Sequence, residues 1–273
     1  MPACPYKKLY IYEIQGELAW PDQSGDFLGC WREGECSYLF FTDKKETALK
    51  ELLGEPEAWR YISETEINYE DWEAGHPLVP LRIADFYLCP VWEQPQPQPG
   101  DHLIRLDPGV AFGSGFHPTT KLCLRLIHDL YRTEVLPRVL DLGTGTGILS
   151  LACLAKGATH VLAIDHNNLA IDTARRNARY NQVEGRINLI CGDVRDHLAQ
   201  PADLVLANIY HALLAEILEM PAFLNKPWYI LSGLVGTEVN KILTQLQALP
   251  LEVKEVLDDN LWFAILARHR TLT

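Results

Sequence analysis

The sequence predicts an α/β protein built on a doubly wound, mostly parallel sheet, and three observations support this prediction. From residue 138 onward, short apolar runs alternate with amphipathic helical patterns, as in repeated βαβ units. A glycine-rich turn follows the first of these runs at residues 143–147. Two later runs, at residues 251–257 and 261–267, have no helix between them and predict a closing antiparallel hairpin. Such sheets bind ligands at the carboxyl ends of their strands, near the point where the strand order reverses.

The elements of this region follow one another in a regular order. Strands are predicted at residues 138–142, 160–165, 187–191, 202–207 and 229–231, and helices at residues 148–156, 168–180, 211–220 and 236–249. A further helix is predicted at residues 118–131, because Pro118 suits the first turn of a helix.

A smaller α+β unit is predicted ahead of this sheet. Strands are expected at residues 8–14, 37–41 and 59–63, with a hairpin turn at residues 30–36 and a helix at residues 44–53. Asp43 can cap that helix, and Gly54 with Pro56 can end it. No cluster of catalytic residue types occurs in this part of the sequence, so its predicted role is recognition or packing.

The domain organisation predicted from these patterns has three parts. Residues 1–67 form the N-terminal α+β recognition domain, residues 68–100 a linker, and residues 101–273 the main domain. The run at residues 93–100 alternates proline with glutamine and favours extended conformation, so a semi-rigid connector is expected there. Some flexibility between the two domains is expected as a result.

Composition limits the classes of function. The chain has 273 residues, is 48% hydrophobic and carries a net charge of −12, which weighs against nucleic acid and favours a basic protein partner. No apolar run is long enough to cross a bilayer, and the N-terminus lacks the apolar core of a secretory signal. The seven cysteines form no metal-binding pair. We therefore expect a cytoplasmic protein, a monomer, with no metal and no membrane association.

The glycine loop, residues 143–147, is the main chemical motif. Gly143, Gly145 and Gly147 allow the backbone to pass close under a ligand. The dinucleotide pattern G-x-G-x-x-G would require glycine where the chain has Ile148, and no Walker A lysine is present. The remaining pattern, an acidic residue followed by three alternating glycines, is typical of the loop that holds the amino-acid end of S-adenosylmethionine. A tight turn without a ligand is the alternative.

Three polar residues at strand ends are candidates for the same site. Asp165 ends the second strand about 20 residues after the first glycine, where a carboxylate can accept both ribose hydroxyls. Asn168 is then left to cap the next helix. Asp193 follows the third strand and could accept from an adenine amino group, or lie in a surface turn. Asn208 follows the fourth strand and could orient an incoming amine, or cap the helix at residue 211.

A second cluster precedes the first strand of the main domain, in the run DPGVAFGSGFHPTT at residues 107–120. Its glycines indicate a loop that leads into the helix beginning at Pro118. His117 and Thr120, close to the start of this helix, could contact a carboxylate or cap the helix.

Long stretches of the chain closely resemble the PrmA family, which methylates amino groups on ribosomal protein L11. The stretches are DPGVAFGSGFHPTTKLCL, VLDLGTGTGILSLACLAKGA, VLAIDHNNLAI, VLANIYHALL and ILSGL. The resemblance extends over residues 68–268, and the run at residues 107–120 is its most specific part.

The resemblance implies a class I methyltransferase fold, S-adenosylmethionine as cofactor, and a set of site residues. It implies cofactor contacts at Thr120, Gly143, Asp165 and Asn208, and an amine entrance shaped by Phe112 and the loop around Gly113 and Gly115. It also implies an N-terminal ferredoxin-like domain that docks the protein substrate. Residues 15–28 are rich in glycine, proline and acidic residues where that fold has its first helix, so a reduced form is expected. Phe116 and Tyr210 add aromatic bulk that could narrow the amine pocket.

Together these observations predict an S-adenosylmethionine-dependent protein methyltransferase. Its acceptors would be lysine or N-terminal amino groups, of ribosomal protein L11 in the first place, with Asn208 orienting the amine. Gly145, Asp193 and Phe112 are predicted to join the cofactor contacts implied above. One alternative is a methyltransferase of the same fold that acts on another protein, a small amine or RNA. A nucleotide-binding module without catalysis, or a nicotinamide-dependent oxidoreductase, is the alternative from a different class.

Overall fold

A computed structural model describes residues 4–16, 25–52, 59–72 and 77–272 of the chain. Its strands are β1 (Lys8–Gln15), β2 (Phe27–Glu33), β3 (Cys36–Phe41), β4 (Arg60–Asn68), β5 (Leu81–Ile83), β6 (Phe86–Pro90), β7 (His102–Leu106), β8 (Arg138–Leu142), β9 (His160–Asp165), β10 (Ile187–Cys191), β11 (Leu204–Asn208), β12 (Trp228–Val235), β13 (Leu251–Asp259) and β14 (Trp262–His269). Its α-helices are α1 (Glu46–Leu52), α2 (Tyr69–Trp72), α3 (Pro118–Leu130), α4 (Ile148–Ala155), α5 (Asn168–Tyr180), α6 (His211–Leu218) and α7 (Glu238–Gln247).

The largest sheet has seven strands in the order β10-β9-β8-β11-β12-β14-β13. Strands β8 to β12 pair in parallel, whereas β14 lies antiparallel between β12 and β13. The strand order reverses between β8 and β11, which places the expected ligand crevice at their carboxyl ends. The predicted doubly wound sheet and its closing hairpin are thus confirmed.

Burial on both faces explains the apolar sequences of the central strands. β8, β9 and β11 consist largely of buried residues, since helices cover both faces of a parallel sheet. Two core clusters result, one involving α3 and α4 and the other α6 and α7. The helices are amphipathic, so each presents an apolar side to one of these clusters.

The N-terminal sheet, β1 to β4, is antiparallel and has the order β2-β3-β1-β4. This order, with α1 connecting β3 to β4, is that of a ferredoxin-like sheet. The predicted hairpin is present as β2 and β3, and β4 is longer than the strand expected at residues 59–63. The part of residues 15–28 on which the reduced first helix was predicted, residues 17–24, lies outside the described residues.

A third sheet, β5-β6-β7, occupies much of the segment for which an irregular linker was predicted. Every residue of β6 is buried, and Phe86 and Leu88 belong to the same core cluster as α3 and α4. Short strands with prolines between them carry a weak sequence pattern, which explains why the segment looked irregular. Among the described residues of this segment, the longer stretches without strand or helix are residues 77–80 and the run after β6, and Arg82 of β5 donates to the carbonyl of Gln96 in that run at 2.8 Å. The domain boundaries at residues 67 and 100 stay a prediction.

Side chains of the N-terminal part pack directly on the main domain. Tyr6 stacks on Tyr69, with ring centroids 4.7 Å apart, and its hydroxyl donates to Asp107 Oδ1 at 2.8 Å. The Tyr69 hydroxyl donates to the carbonyl of Gly109. Both tyrosines therefore contact the start of the run at residues 107–120. Within the described ranges, no helix is long and apolar enough to span a membrane.

Candidate active site

Backbone hydrogen bonds join the glycine loop, which follows β8, to the end of the neighbouring strand β9. Its first two N–H groups, at Gly143 and Thr144, donate to the carbonyl of Ile164 at 2.8 and 3.0 Å. Gly145 has φ +55°, and a Cβ there would lie 2.3 Å from the carbonyl oxygen of Phe112. A Cβ at Gly143 would lie 2.5 Å from a methyl carbon of Ile209. Both positions therefore require glycine for two reasons: neighbouring atoms leave no room for a Cβ, and the backbone angle φ is positive.

Asp141 lies directly below this loop and is 1% exposed. Its Oδ2 accepts hydrogen bonds from the hydroxyls of Thr144, at 2.7 Å, and Ser150, at 2.6 Å. Burial raises the pKa of this carboxyl to about 6, although the two hydroxyl donors work in the opposite direction. The acidic residue of the motif thus connects the glycine loop to the first turn of α4, and its role is to shape the loop.

Asp165 lies at the end of β9 and points its carboxylate at the glycine loop. Its Oδ2 accepts from the N–H of Gly145 at 2.9 Å, and its Oδ1 accepts from the N–H of Asn167 at 3.0 Å. The N-cap of α5 is Asn167, which accepts from the N–H of Leu169 at 3.0 Å, and not Asn168 as expected. Each carboxylate oxygen retains a lone pair for a further donor.

A cavity of about 720 Å³ begins beside Asp165. It lies between β2 of the N-terminal sheet and the start of α5, and its lining includes His166, Asn167 and Cys191. Cys191 ends β10, the strand that precedes Asp193. The cavity therefore reaches the residues that follow β9 and end β10, although Asp165 and Asp193 themselves are not among its lining residues.

Asp193 forms an ion pair with Arg195. The Arg195 guanidinium donates to both of its carboxylate oxygens, with Nε at 2.9 Å from Oδ1 and 3.0 Å from Oδ2, and this holds the pKa of Asp193 below its ordinary value. Its Oδ1 also accepts from the Arg195 N–H, which caps a short 3-10 helix. An adenine contact would have to share the carboxylate with Arg195.

The upstream loop, residues 107–117, is bonded to the glycine loop. The N–H of Thr146 donates to the carbonyl of Phe112 at 3.0 Å, and the Thr146 hydroxyl donates to the carbonyl of Gly113 at 2.7 Å. Asn177 of α5 connects the two loops a second time, because it donates to the carbonyl of Thr146 and accepts from the N–H of Asp107. The two motifs found separately in the sequence thus form one site.

His117 and Thr120 have different environments at the start of α3. His117 is the N-cap, and its Nδ1 accepts from the N–H of Thr119 at 3.3 Å. Burial lowers the pKa of His117, so the ring is neutral at pH 7, with its proton on Nε2. Thr120 is 1% exposed, and its hydroxyl has no hydrogen-bond partner among the described residues. A buried hydroxyl without a partner is costly unless a ligand satisfies it.

Asn208 is half-buried at the end of β11, where it pairs with Ser232 of β12. Its amide makes no hydrogen bond to the rest of the described chain. The alternative role as a helix cap is wrong, because the N-cap of α6 is Tyr210, which is 65% exposed. The amide is therefore available to a ligand, one residue before the Ile209 side chain that covers Gly143.

Three aromatic rings form a wall beside the upstream loop. The ring of His117 lies 5.1 Å from that of Phe112 and 4.7 Å from that of Trp262, both edge to face. Phe112 is 53% exposed. Trp262 was missed in the sequence analysis, although it directly follows the turn of the predicted hairpin. In the sheet Trp262 pairs with Val235, beyond Ser232, so the tip of the hairpin extends past the strand end that carries Asn208.

The observed features fit S-adenosylmethionine. A glycine loop that packs too closely on Phe112 and Ile209 to admit a Cβ, a carboxylate at the next strand end and an unsatisfied buried hydroxyl lie around the strand-order reversal. Within the described ranges no group of side chains is suited to a metal ion. Fold and site together define a class I methyltransferase, which uses S-adenosylmethionine as its methyl donor.

Comparison with known proteins identifies the family. The sequence matches the family described as "Ribosomal protein L11 methyltransferase (PrmA)" over residues 28–270, and the chain belongs to that family. The relative from Symbiobacterium thermophilum is 38% identical over 81% of this chain and 74% of its own length. The relative from Desulfitobacterium hafniense is 36% identical over 82% of this chain and 72% of its own. Both are named ribosomal protein L11 methyltransferase.

Another relative of the same name and a solved structure extend the comparison. The Heliobacterium modesticaldum protein is 35% identical, and the chain spans about two thirds of it (66%). The crystal structure of a ribosomal protein L11 methylase from Lactobacillus delbrueckii subsp. bulgaricus superimposes with a TM-score of 0.64 at 28% identity, covering 70% of this chain and 99% of that one. The methyltransferase predicted from the sequence is thereby confirmed.

Proposed function

We propose that this methyltransferase transfers methyl groups to lysine side chains or the N-terminal amino group of ribosomal protein L11. The names of the relatives support this acceptor. The observation that carries the proposal is the bonding of the upstream loop to the glycine loop through Thr146, because the most family-specific run of the sequence thereby lies against the cofactor loop.

We assign the cofactor to the residues at the strand ends. Gly143, Gly145 and the Thr120 hydroxyl would hold its amino-acid end, and Asp165 its ribose. Asp193 would accept from the adenine amino group, sharing its carboxylate with Arg195. The cavity next to His166 and Cys191 supports this orientation, since these residues adjoin the ends of β9 and β10.

Asn208 and the aromatic wall would act on the acceptor amine. When bound, S-adenosylmethionine supplies an electrophilic methyl group, so that a nitrogen–carbon bond forms as a sulfur–carbon bond breaks and a proton of the methylated amine passes to solvent. A lysine amine has an ordinary pKa of about 10.4 and must arrive neutral. The Phe112 and Trp262 rings would exclude water around the amine, which lowers its pKa. The Asn208 carbonyl would accept from an amine N–H and orient the nitrogen lone pair.

The N-terminal sheet is proposed to dock the protein acceptor. Residues 1–72 contain 15 acidic and 7 basic residues, a net charge of −8 out of −12 for the whole chain. Such a surface attracts basic partners, and it disfavours a nucleic-acid acceptor. The proposal places the chain in the cytoplasm, with the ribosomal proteins, and it has the chain act there as a monomer.

The test is methyl transfer to ribosomes that lack this modification, with S-adenosylmethionine labelled in the methyl group. We expect label in L11, and we expect Asn208→Ala to lower kcat at least 10-fold while the dissociation constant for the cofactor changes much less. Asn240→Ala, on the exposed side of α7, is the matched control. Label in a different protein, with L11 unlabelled, would refute the acceptor and leave the methyltransferase chemistry intact.

A further inference from the structure

A second cavity lies between the N-terminal sheet and the upstream loop. We call it the aromatic cavity; its volume is about 260 Å³. Four aromatic side chains line it: Trp31 of β2, Trp72 at the end of α2, and Phe112 and Phe116 of the upstream loop. His117 also lines it. The cavity thus adjoins the aromatic wall, on the side of the upstream loop that carries Phe112.

The walls of this cavity come from well-packed parts of the structure. Trp31 pairs with Tyr38 of β3, and Trp72 contacts the buried Phe40 edge to face, with ring centroids 5.4 Å apart. Trp31, Trp72 and Phe116 are half-buried and pack on the core cluster between the N-terminal sheet and α5. Rings fixed by packing on one side and open on the other form a preorganised surface rather than a collapsed core.

The electrostatics of the aromatic cavity favour a cation. No lysine or arginine is among the described residues that line it, and burial keeps the pKa of His117 low, so the lining is neutral at pH 7. The surrounding N-terminal part is strongly acidic, with Glu70 and Asp71 immediately before Trp72. The faces of aromatic rings attract cations, and quaternary ammonium groups above all, because these are weakly hydrated.

We propose that the aromatic cavity binds a methylated lysine side chain of the acceptor protein. This inference rests on the proposed function, in which methylated lysines are the product. A lysine methylated at the neighbouring site would place its apolar stem against the rings and its methylated ammonium group over their faces. The cavity would thereby retain a partly modified acceptor while the next amine is methylated.

The test measures binding of N-acetyl-trimethyllysine amide to the full chain by calorimetry, beside its neutral isostere with a tert-butyl group in place of the trimethylammonium. We expect the cation to bind between about 2-fold and 30-fold more tightly than the isostere. Trp31→Leu should abolish that difference and Trp31→Phe should retain most of it. Phe116→Leu serves as a second variant in case the first folds poorly. Trp59→Leu is the control, because Trp59 packs in the other core cluster of the N-terminal part.

Equal binding of the isostere and the cation, or an undiminished difference in Trp31→Leu, would overturn the proposal. The measurement needs neither methyl donor nor ribosome, so its outcome is separate from the identity of the acceptor. If L11 stays unlabelled and the trimethyllysine amide binds at Trp31, the proposed acceptor fails and the cavity inference stands. If L11 is labelled and the chain binds the trimethyllysine amide and its neutral isostere equally, the proposed acceptor stands and the cavity proposal fails.

Discussion

The glycine loop and the aromatic wall both contact the upstream loop, yet they are assembled in different ways. The glycine loop is closed by hydrogen bonds: residues 141–150, the end of β9, the upstream loop and Asn177 of α5 supply them, and the N–H groups of residues 143–147 all donate inside the protein. The aromatic wall combines Phe112 and His117 with Trp262, from the far end of the chain, and its rings stay partly exposed. The cofactor side is therefore rigid and buried, and the acceptor side is open.

The largest effect is expected where the two sides meet, at Gly145. Gly145→Ala places a Cβ 2.3 Å from the Phe112 carbonyl, so the upstream loop has to move away from the glycine loop. We expect the affinity for S-adenosylmethionine to fall on the order of 100-fold, measured by calorimetry. The free energy of unfolding should also fall, by about 2–3 kcal/mol, measured by denaturant titration.

Gly157→Ala is the matched control for this substitution. Gly157 also has a positive φ, +114°, but a Cβ there meets nothing within 4 Å. The Gly157→Ala variant should have a lower free energy of unfolding because of backbone strain, and it should bind S-adenosylmethionine with the native affinity. Equal cofactor affinities in the two variants would show that contact between the loops does not matter for binding.

The buried Asp141 carboxyl gives the cofactor side a specific pH dependence. Its pKa is about 6 in the folded chain, against an ordinary value of 3.8. The folded state therefore binds more protons than the unfolded state between these values, and the contribution of Asp141 to the free energy of unfolding falls as pH rises from 4 to 6. Asp141→Asn, which keeps an acceptor for Thr144 and Ser150, should gain about 2 kcal/mol relative to the native protein between pH 4 and pH 7. If the difference in the free energy of unfolding between Asp141→Asn and the native protein does not vary with pH, Asp141 does not have a raised pKa.

Substitution of Trp262 is expected to affect the acceptor side and to leave the cofactor side unchanged. Trp262→Leu keeps apolar volume but removes the ring that contacts His117, so kcat/KM for the protein acceptor should fall about 10-fold. Affinity for the cofactor should stay within about 2-fold of the native value, because no bond of the glycine loop involves this residue. Val256→Ala on the neighbouring strand β13, 40% exposed, is the control. A loss of cofactor affinity as large as the loss of kcat/KM would remove the distinction between the two sides.

The same contrast explains what could be predicted from the sequence. The parallel strands, the closing hairpin and the glycine loop depend on residues close together in the chain, so their patterns are visible in it. The capping of α5 by Asn167 rather than Asn168 and the pairing of Asp193 with Arg195 depend on local geometry finer than residue type. The contact of Trp262 with His117 depends on strand order, because β14 lies between β12 and β13, and no local pattern shows that.

The smallest effect concerns the contact between the N-terminal part and the upstream loop. Tyr6 donates to Asp107, an 8% exposed carboxylate, and the Asp107 N–H donates to Asn177, which also contacts Thr146 beside the glycine loop. Tyr6→Phe removes one hydrogen bond to a charged group, so the free energy of unfolding should fall by about 1–3 kcal/mol. If this contact holds the upstream loop in place once the acceptor has docked on the N-terminal sheet, kcat should fall about 3-fold while KM for the protein acceptor changes little, because the docking surface itself is unchanged.

Tyr10→Phe on β1 is the matched control, because its hydroxyl makes no hydrogen bond to the described part of the chain. It should match the native protein in stability and kcat. A Tyr6→Phe variant that loses stability and keeps its native kcat would make the contact purely structural.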